Sequence, residues 1–470
     1  MSPCAAPTLV NDVHSHLNAT RVAEIVAPNS VAEICATVAA AAARALPIAI
    51  CGGRHAMGGQ QFGLAALLLD MRCMDRVICL DAVNGTLEVE AGIQWPALID
   101  YLEQAGGHWS IRQKQTGADT LSLGGCLSSN VHGRGLRMRP FIADVEGFTL
   151  IDAQGVQRRC SRQNEAQLFA LAIGGYGLFG VIASVTLRLA PRRKLRRDVT
   201  LVHLDELLLA FEQRIAGGYE FGDFQFAIDP DSADFLQFGV LSCYVPVDQD
   251  CAMGEHDKQL SEHDWRALLR LAHTHKTAAF DCYAEHYRAT DGQLYWSDRL
   301  QQSTYLDGYH HAIDEVLGHC GSEMIGEIYV PRERLPDFMR EAAADFRRHA
   351  VDVIYGTVRL IEPDCESFLP WASQDYACII FNLHTVHTPD GIEATARAFR
   401  RLIDMAIARR GSYYLTYSKA ATAHQLHACH PGFEQFLAWK RHFDPQERFQ
   451  SDWYRHYRDL FATVAQEQAA

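Results

Sequence analysis

Two stretches dense in glycine constrain this chain more than anything else in it: CGGRHAMGGQ at residues 51–60 and TGADTLSLGGCLSSNVHGRG at residues 116–135. Runs with so few bulky side chains let the backbone approach another body closely, and they free N–H groups to point at an anion in a nest. The first follows a short apolar strand, PIAICGG. That strand follows NSVAEICATVAAAAARAL, which opens on an Asn or Ser cap and continues in strong helix formers, so helix, strand and loop form one α/β unit. Taken alone, the first loop also reads as a tight turn around a buried histidine. The second stretch favours the ligand reading, because a long ligand is clamped from two sides.

The remaining elements follow from periodicity. An apolar run around Leu67 to Asp70 is followed by RVICLDAVNGTLEVEAG, two alternating strands about an Asn84-Gly85 turn. WPALIDYLEQAGG is a helix ended by glycine, FTLIDAQGVQRRCS a hairpin, QNEAQLFALAI a helix, and VIASVTLRLAP a strand closed by proline near residue 191. From about 197 to 410 the texture changes to longer amphipathic helices, aromatic clusters (Tyr295, Trp296, Tyr305, Tyr309) and strands such as EIYVP, VIYGTVRLI and ACIIFNLH. The aromatic cluster lines a pocket or packs a core. The end, with its Trp and Tyr residues, is expected to dock rather than to hang free.

A chain of 470 residues exceeds one ordinary core, and 48% hydrophobic with 21% charged residues is a globular composition. A net charge of -14 excludes a basic surface that tracks phosphate backbones, so nucleic acid is not an expected partner. The 14 cysteines are scattered without a CxxC pair, as reduced thiols packed as small hydrophobes, which favours the cytoplasm. No secretory signal is visible, and Glu33 and Arg44 break the Ala-rich run at 31–50, so no transmembrane segment is expected.

Residues 175–180, GYGLFG, match the GxGxxG dinucleotide fingerprint in letters alone. A Rossmann turn follows a strand and opens a helix; here a helix precedes and a strand follows, so that fold is set aside. The order of motifs instead resembles the FAD-linked oxidoreductases of the vanillyl-alcohol oxidase type, or PCMH fold, across essentially the whole chain. Its aldonolactone and alditol oxidase branch is matched by GGRHAMGG, Gly52, Gly53, Arg54, His55, Ala56, Met57 and Gly58, with Ala56 replacing a usual Ser. LSLGGCLSSNVHG matches a second motif through Ser122, Gly125, Ser129, Asn130 and His132, and GGYGLFGVI a third through Ile182. The ending Asp444, Pro445, Phe449, Ser451 and Asp452 is similar to that of the decaprenylphosphoryl-ribose oxidase branch.

The resemblance implies an α+β fold: a PCMH-type FAD-binding domain of two α/β subdomains at residues 1–196, completed by a returning segment at 415–470. An inserted cap of antiparallel sheet flanked by helices, residues 197–414, holds the substrate. It implies FAD, joined covalently through His55, with Gly117 beside the second motif and Thr116 at the position that controls oxygen access to the flavin. His132 is a wall of the flavin site. On the substrate side, Arg359 stands at the Arg of an E-x-R strand, with Thr357 replacing the Glu. Lys419 matches an active-site Lys, and Tyr417 lies near it in YLTYSK. An alcohol loses a proton as its hydride leaves, so Lys419 first and His384 second are candidate bases. Thr357, Arg359 and Ile361 share one strand face, as do Asn382 and His384. His424, His427, Cys429 and His430 lack the spacing to surround a metal, and none is expected.

The expected activity is oxidation of a CH-OH group of a small organic substrate, with oxygen or another electron acceptor taking the electrons. A dehydrogenase with a non-oxygen acceptor, a double-bond reductase and a flavin-bearing binding protein are the alternatives.

Overall fold

In the computed structural model, residues 7–254 and 258–469 are described, with side chains to residue 462. Four sheets run through the described residues, and their order explains where ligands can sit. A small parallel sheet pairs Leu67–Asp70 with both Glu24–Val26 and Ile48–Cys51, so the first glycine loop leaves the end of a buried strand. Helix Val31–Ala43 supplies the crossover; Ser30 caps it by accepting from the Glu33 amide.

A six-stranded antiparallel sheet is centred on Val181–Pro191, which pairs with Val145–Ile151, Thr86–Glu90 and Trp109–Ile111. The Asn84-Gly85 turn joins Val77–Asp81 to Thr86–Glu90, with Gly85 at φ 66°. The segment 175–180 does run from a helix, Ala166–Ala172, into a strand, the reverse of a Rossmann turn.

Inside the second glycine stretch, to which the sequence reading assigned no element, Leu123–Ser129 is a short helix. Ser122 caps it, and Leu123, Cys126 and Leu127, spaced for one helix face, are buried. Gly124 is required there, since a Cβ would lie 2.9 Å from the Cβ of Ala91.

The largest sheet has eight antiparallel strands, all from residues 194–413. At its centre Phe221–Phe226, Val353–Ile361, Tyr376–Val386 and Gly321–Pro331 lie side by side in that order. Helices Leu335–His349 and Pro389–Ile407 pack one face: Phe346 meets Phe381, and Phe399 fills the space above Gly326. Helices Glu262–Thr274 and Lys276–Ala289 roof the other face, leaving a hollow beneath them. The chain is thus α+β, its largest sheet antiparallel and flanked by helices on both faces.

The segment after residue 444 returns to the first unit. Phe449 bridges to Ile48 in parallel, and Asp452 accepts from Thr20 Oγ1 and the Leu64 amide, each at 2.9 Å. Trp453, Tyr454 and Tyr457 are completely buried. The thirteen cysteines among the described residues are unpaired. No helix among the described residues is long and apolar enough to cross a membrane.

Candidate active site

The two glycine stretches meet face to face. A Cβ on Gly52 would fall 1.8 Å from Ser122 Oγ, and one on Gly53 would fall 2.2 Å from the Thr120 carbonyl oxygen. Only bare backbone permits that approach. Arg54 turns the first loop with φ 61°, held by its ion pair to Asp70 at 3.0 Å.

Between the loops, the 176–182 segment and residues 414–417 runs a cavity of about 1180 Å³ of open space. A second, of about 1760 Å³, lies under the cap helices, and the two share His14, Gln115, Thr116, Gly117, Ile325 and Tyr417 as a common boundary. Gln61 Oε1, Gln115 Oε1, Thr116 Oγ1 and Thr416 Oγ1 line the first cavity, buried and without hydrogen-bond partners. Buried polar atoms are normally paired, so a ligand with hydrogen-bonding edges completes this wall. A glycine-walled cavity with such atoms fits FAD.

Gly52, Gly53, Arg54, His55, Ala56, Gly117, Ser122, Gly125, Ser129 and Ile182 all line this cavity. Four residues singled out with them do not. Met57 is packed in the core, and the Gly58 amide is bonded to the Thr416 carbonyl. Asn130, in a left-handed conformation, ends the helix and is bonded on both sides, donating to Asp364 and accepting from the Ile142 amide. His132 is buried behind the wall, with Nε2 3.0 Å from Glu327.

His55 Nδ1 lies 2.8 Å from His14 Nε2, and its Nε2 lies 2.9 Å from Thr120 Oγ1. Burial pushes the His55 pKa down to about 4, so the ring is neutral at neutral pH and keeps a lone pair on one nitrogen. Burial, with His55, His310 and His16 around it, pushes His14 well below the ordinary imidazole value.

The second cavity holds the residue that sequence reasoning missed. Glu327, on strand Gly321–Pro331, is 3% exposed and lines the cavity beside Arg359. It accepts from Tyr329 Oη at 2.8 Å and Tyr417 Oη at 3.1 Å, and lies against His132 and Cys378. Burial works against its charge, yet His132, Tyr329 and Arg359 together hold its carboxyl below the usual range. Burial first, and Glu327 next, push Tyr417 well above the ordinary phenol value, so it remains a donor. Thr357, where the resemblance has Glu, is fully buried and donates to the Phe224 carbonyl oxygen at 3.1 Å. The carboxylate near Arg359 therefore comes from two strands away.

Arg359, Tyr417 and Asn382 line the second cavity. Lys419 lines neither: its Nζ sits 3.4 Å from where a Gly59 Cβ would be, beside Asp452, and burial lowers its pKa. His384 lies beyond Asn382 on the same strand face, 3.4 Å from Glu323 and outside both linings. Tyr305 and Tyr309 line the cavity; Trp296 stacks on Arg192 elsewhere. His430 is a buried core histidine bonded to the Tyr413 carbonyl oxygen.

Residues 22–161 match the family model of an FAD binding domain. An uncharacterized oxidoreductase, ORF5 in the fasciation locus of Rhodococcoides fascians, is 29% identical over 41% of this chain and 44% of its own length. L-galactono-1,4-lactone dehydrogenase 1, mitochondrial, of Oryza sativa subsp. japonica is 31% identical over 30% of this chain and 24% of its own. The chain thus spans less than half the length of these relatives. L-gulono-1,4-lactone dehydrogenase of Mycobacterium tuberculosis (strain CDC 1551 / Oshkosh) is 24% identical, over 92% of this chain and 95% of its own. The interlocked glycine loops lie where the family model matches, so residues 22–161 carry an FAD binding domain, and the chain is similar beyond it to FAD-linked lactone oxidoreductases.

Proposed function

We propose that this protein is an FAD-dependent enzyme that oxidises a CH-OH group of a small polyhydroxylated substrate, with aldonolactones the first class to try. The observation that carries this reading is the shared boundary of the two cavities, where the cofactor wall meets a buried Glu–Arg–Tyr cluster. When bound, FAD supplies a hydride acceptor at N5. Arg359, whose Nε is buried without a partner, and Asn382 bind substrate oxygens. Glu327, ionised at neutral pH, takes the hydroxyl proton at Oε1 through the Tyr417 hydroxyl. Tyr305, Tyr309 and the roof helices present apolar faces to a sugar ring and keep water out.

The covalent link through His55 is part of this proposal; the neutral ring at the cavity wall, oriented by His14, supports it. So is the division into residues 1–196 with 415–470 around the cofactor and 197–414 around the substrate, and so is a cytoplasmic setting, supported by unpaired thiols. Oxygen is the proposed electron acceptor. Thr116, which lines both cavities and is larger than Ala or Gly, favours a second reading in which another acceptor serves.

Anaerobic mixing of the purified yellow protein with a panel of aldonolactones and alditols tests the reading. Bleaching of the flavin band by at least one member is the expected result, and a panel that leaves it unbleached overturns the reading. Stopped-flow mixing of the reduced protein with air separates the two acceptors. Acid-precipitated protein that stays yellow, with colour lost in His55→Ala, is expected for the covalent link.

A further inference from the structure

We infer that His273, Glu323 and His384 form a binding site for one divalent transition-metal ion at the end of the substrate cavity, independent of the flavin reading. Glu323 and His384 are direct cross-strand partners on Gly321–Pro331 and Tyr376–Val386, so their side chains rise from the same sheet face. His273 descends from the roof helix Glu262–Thr274 onto them. Its Nε2 lies 3.0 Å from Glu323 Oε1, His384 Nδ1 lies 3.4 Å from that same oxygen, and the three ligand atoms fall within 4.8 Å of one another.

Zinc bonds of ~2.0–2.1 Å in a tetrahedron place ligand atoms about 3.3 Å apart. Two edges of the triangle already have that length, and the third closes when one imidazole swings inward. Two imidazoles and a carboxylate are a donor set for zinc and similar borderline ions.

Two further observations point to a ligand. The His273 side chain is 0% exposed; its Nδ1 has no hydrogen-bond partner, and its Nε2 has only a poorly aligned 3.0 Å contact with Glu323 Oε1. A poorly aligned contact of a buried ring is the unusual case, and coordination gives the Nε2 lone pair a partner while Nδ1 keeps the proton. His384 Nε2 lies 3.0 Å from His319 Nε2, so a proton held there leaves Nδ1 unprotonated towards Glu323, the orienting contact typical of metal-bound histidine. The other groups facing Glu323 are Tyr309 Oη and His310 Nδ1, the latter 3.6 Å from Oε2. Glu323 and Tyr309 line the substrate cavity, so a fourth coordination position opens towards a substrate oxygen or a water.

The test uses the flavin-loaded protein, stripped with chelator and titrated with Co2+, with the cobalt d–d absorption as readout and Zn2+ as competitor. One equivalent with tetrahedral intensity, displaced by Zn2+, is expected. His273→Ala and His384→Ala each weaken Co2+ by more than about 100-fold, and His319→Ala weakens it by about 10- to 100-fold, as for loss of an orienting partner. Flavin content stays constant throughout. Absence of a cobalt spectrum in the wild type overturns the proposal; a hydrogen-bonded cluster with one protonated imidazole would behave that way. Undiminished binding by Glu323→Gln, used where a histidine variant fails to fold, overturns it equally.

Discussion

Glu327 is the residue on which the proposed chemistry turns, and its variants separate binding from proton removal. Glu327→Gln keeps the shape and one acceptor oxygen for Tyr329 or Tyr417, with its NH2 facing the other, while removing the base. It is expected to lower the anaerobic flavin-reduction rate about 10²–10⁴-fold with flavin content unchanged, as measured by stopped flow. Lys419→Met, in contrast, leaves that rate close to the wild-type value, because Lys419 lines neither cavity; a collapse of the rate in this variant would move the base to Lys419. The buried histidines set the acid limit. His55, His310 and His430 have folded pKa values pushed down to about 4 by burial, against about 6.5 when unfolded. Between those values the unfolded chain binds more protons, so stability is fully present above pH ~6.5 and declines as pH falls towards ~4. Thermal melts across that window are expected to show a falling midpoint with each step down in pH.

At the scale of elements, the clamp between the glycine loops is the part most exposed to single changes. Gly53→Ala drives a methyl into the Thr120 carbonyl, which is backbone and cannot rotate away. The expected outcome is loss of FAD, read as the flavin-to-protein ratio, and a stability cost of about 1–3 kcal/mol from overpacking. Local pattern made most of these elements readable. The Asn84-Gly85 hairpin, the helix over Val31–Ala43 and the strand into the first loop all follow from nearest neighbours in sequence. Glu327 was not readable that way. Its partnership with Arg359 depends on Tyr376–Val386 lying between their strands, an order no local rule specifies. Its one signal was a charged residue inside the apolar run EIYVP. Helix Leu123–Ser129 was masked by its glycines and serines, although Leu123, Cys126 and Leu127 carried the helical spacing.

For the whole molecule, the cofactor cavity is closed by residues far apart in the chain: Tyr414, Thr416 and Tyr417 complete a wall begun by His14, residues 50–56, Gln60 and Gln61. Asp452 ties the returning segment down through Thr20 and the Leu64 amide. Asp452→Ala removes both of these bonds and is expected to destabilise by about 0.5–1.5 kcal/mol and to loosen flavin retention, measured by denaturant melts and by dialysis. The resemblance pointed to this returning segment, and the burial of Trp453, Tyr454 and Tyr457 accounts for its aromatic content.

The Thr20–Asp452 contact spans 432 positions, which bears on any attempt to work with less than the full polypeptide. An excised fragment covering only residues 22–161 would present Ile48 without its Phe449 bridge and a nucleotide groove with one side missing. A nascent chain on the ribosome is in the same condition until residue 452 has emerged, so closing of the groove awaits that residue and coexpression of split halves is the practical way to dissect it.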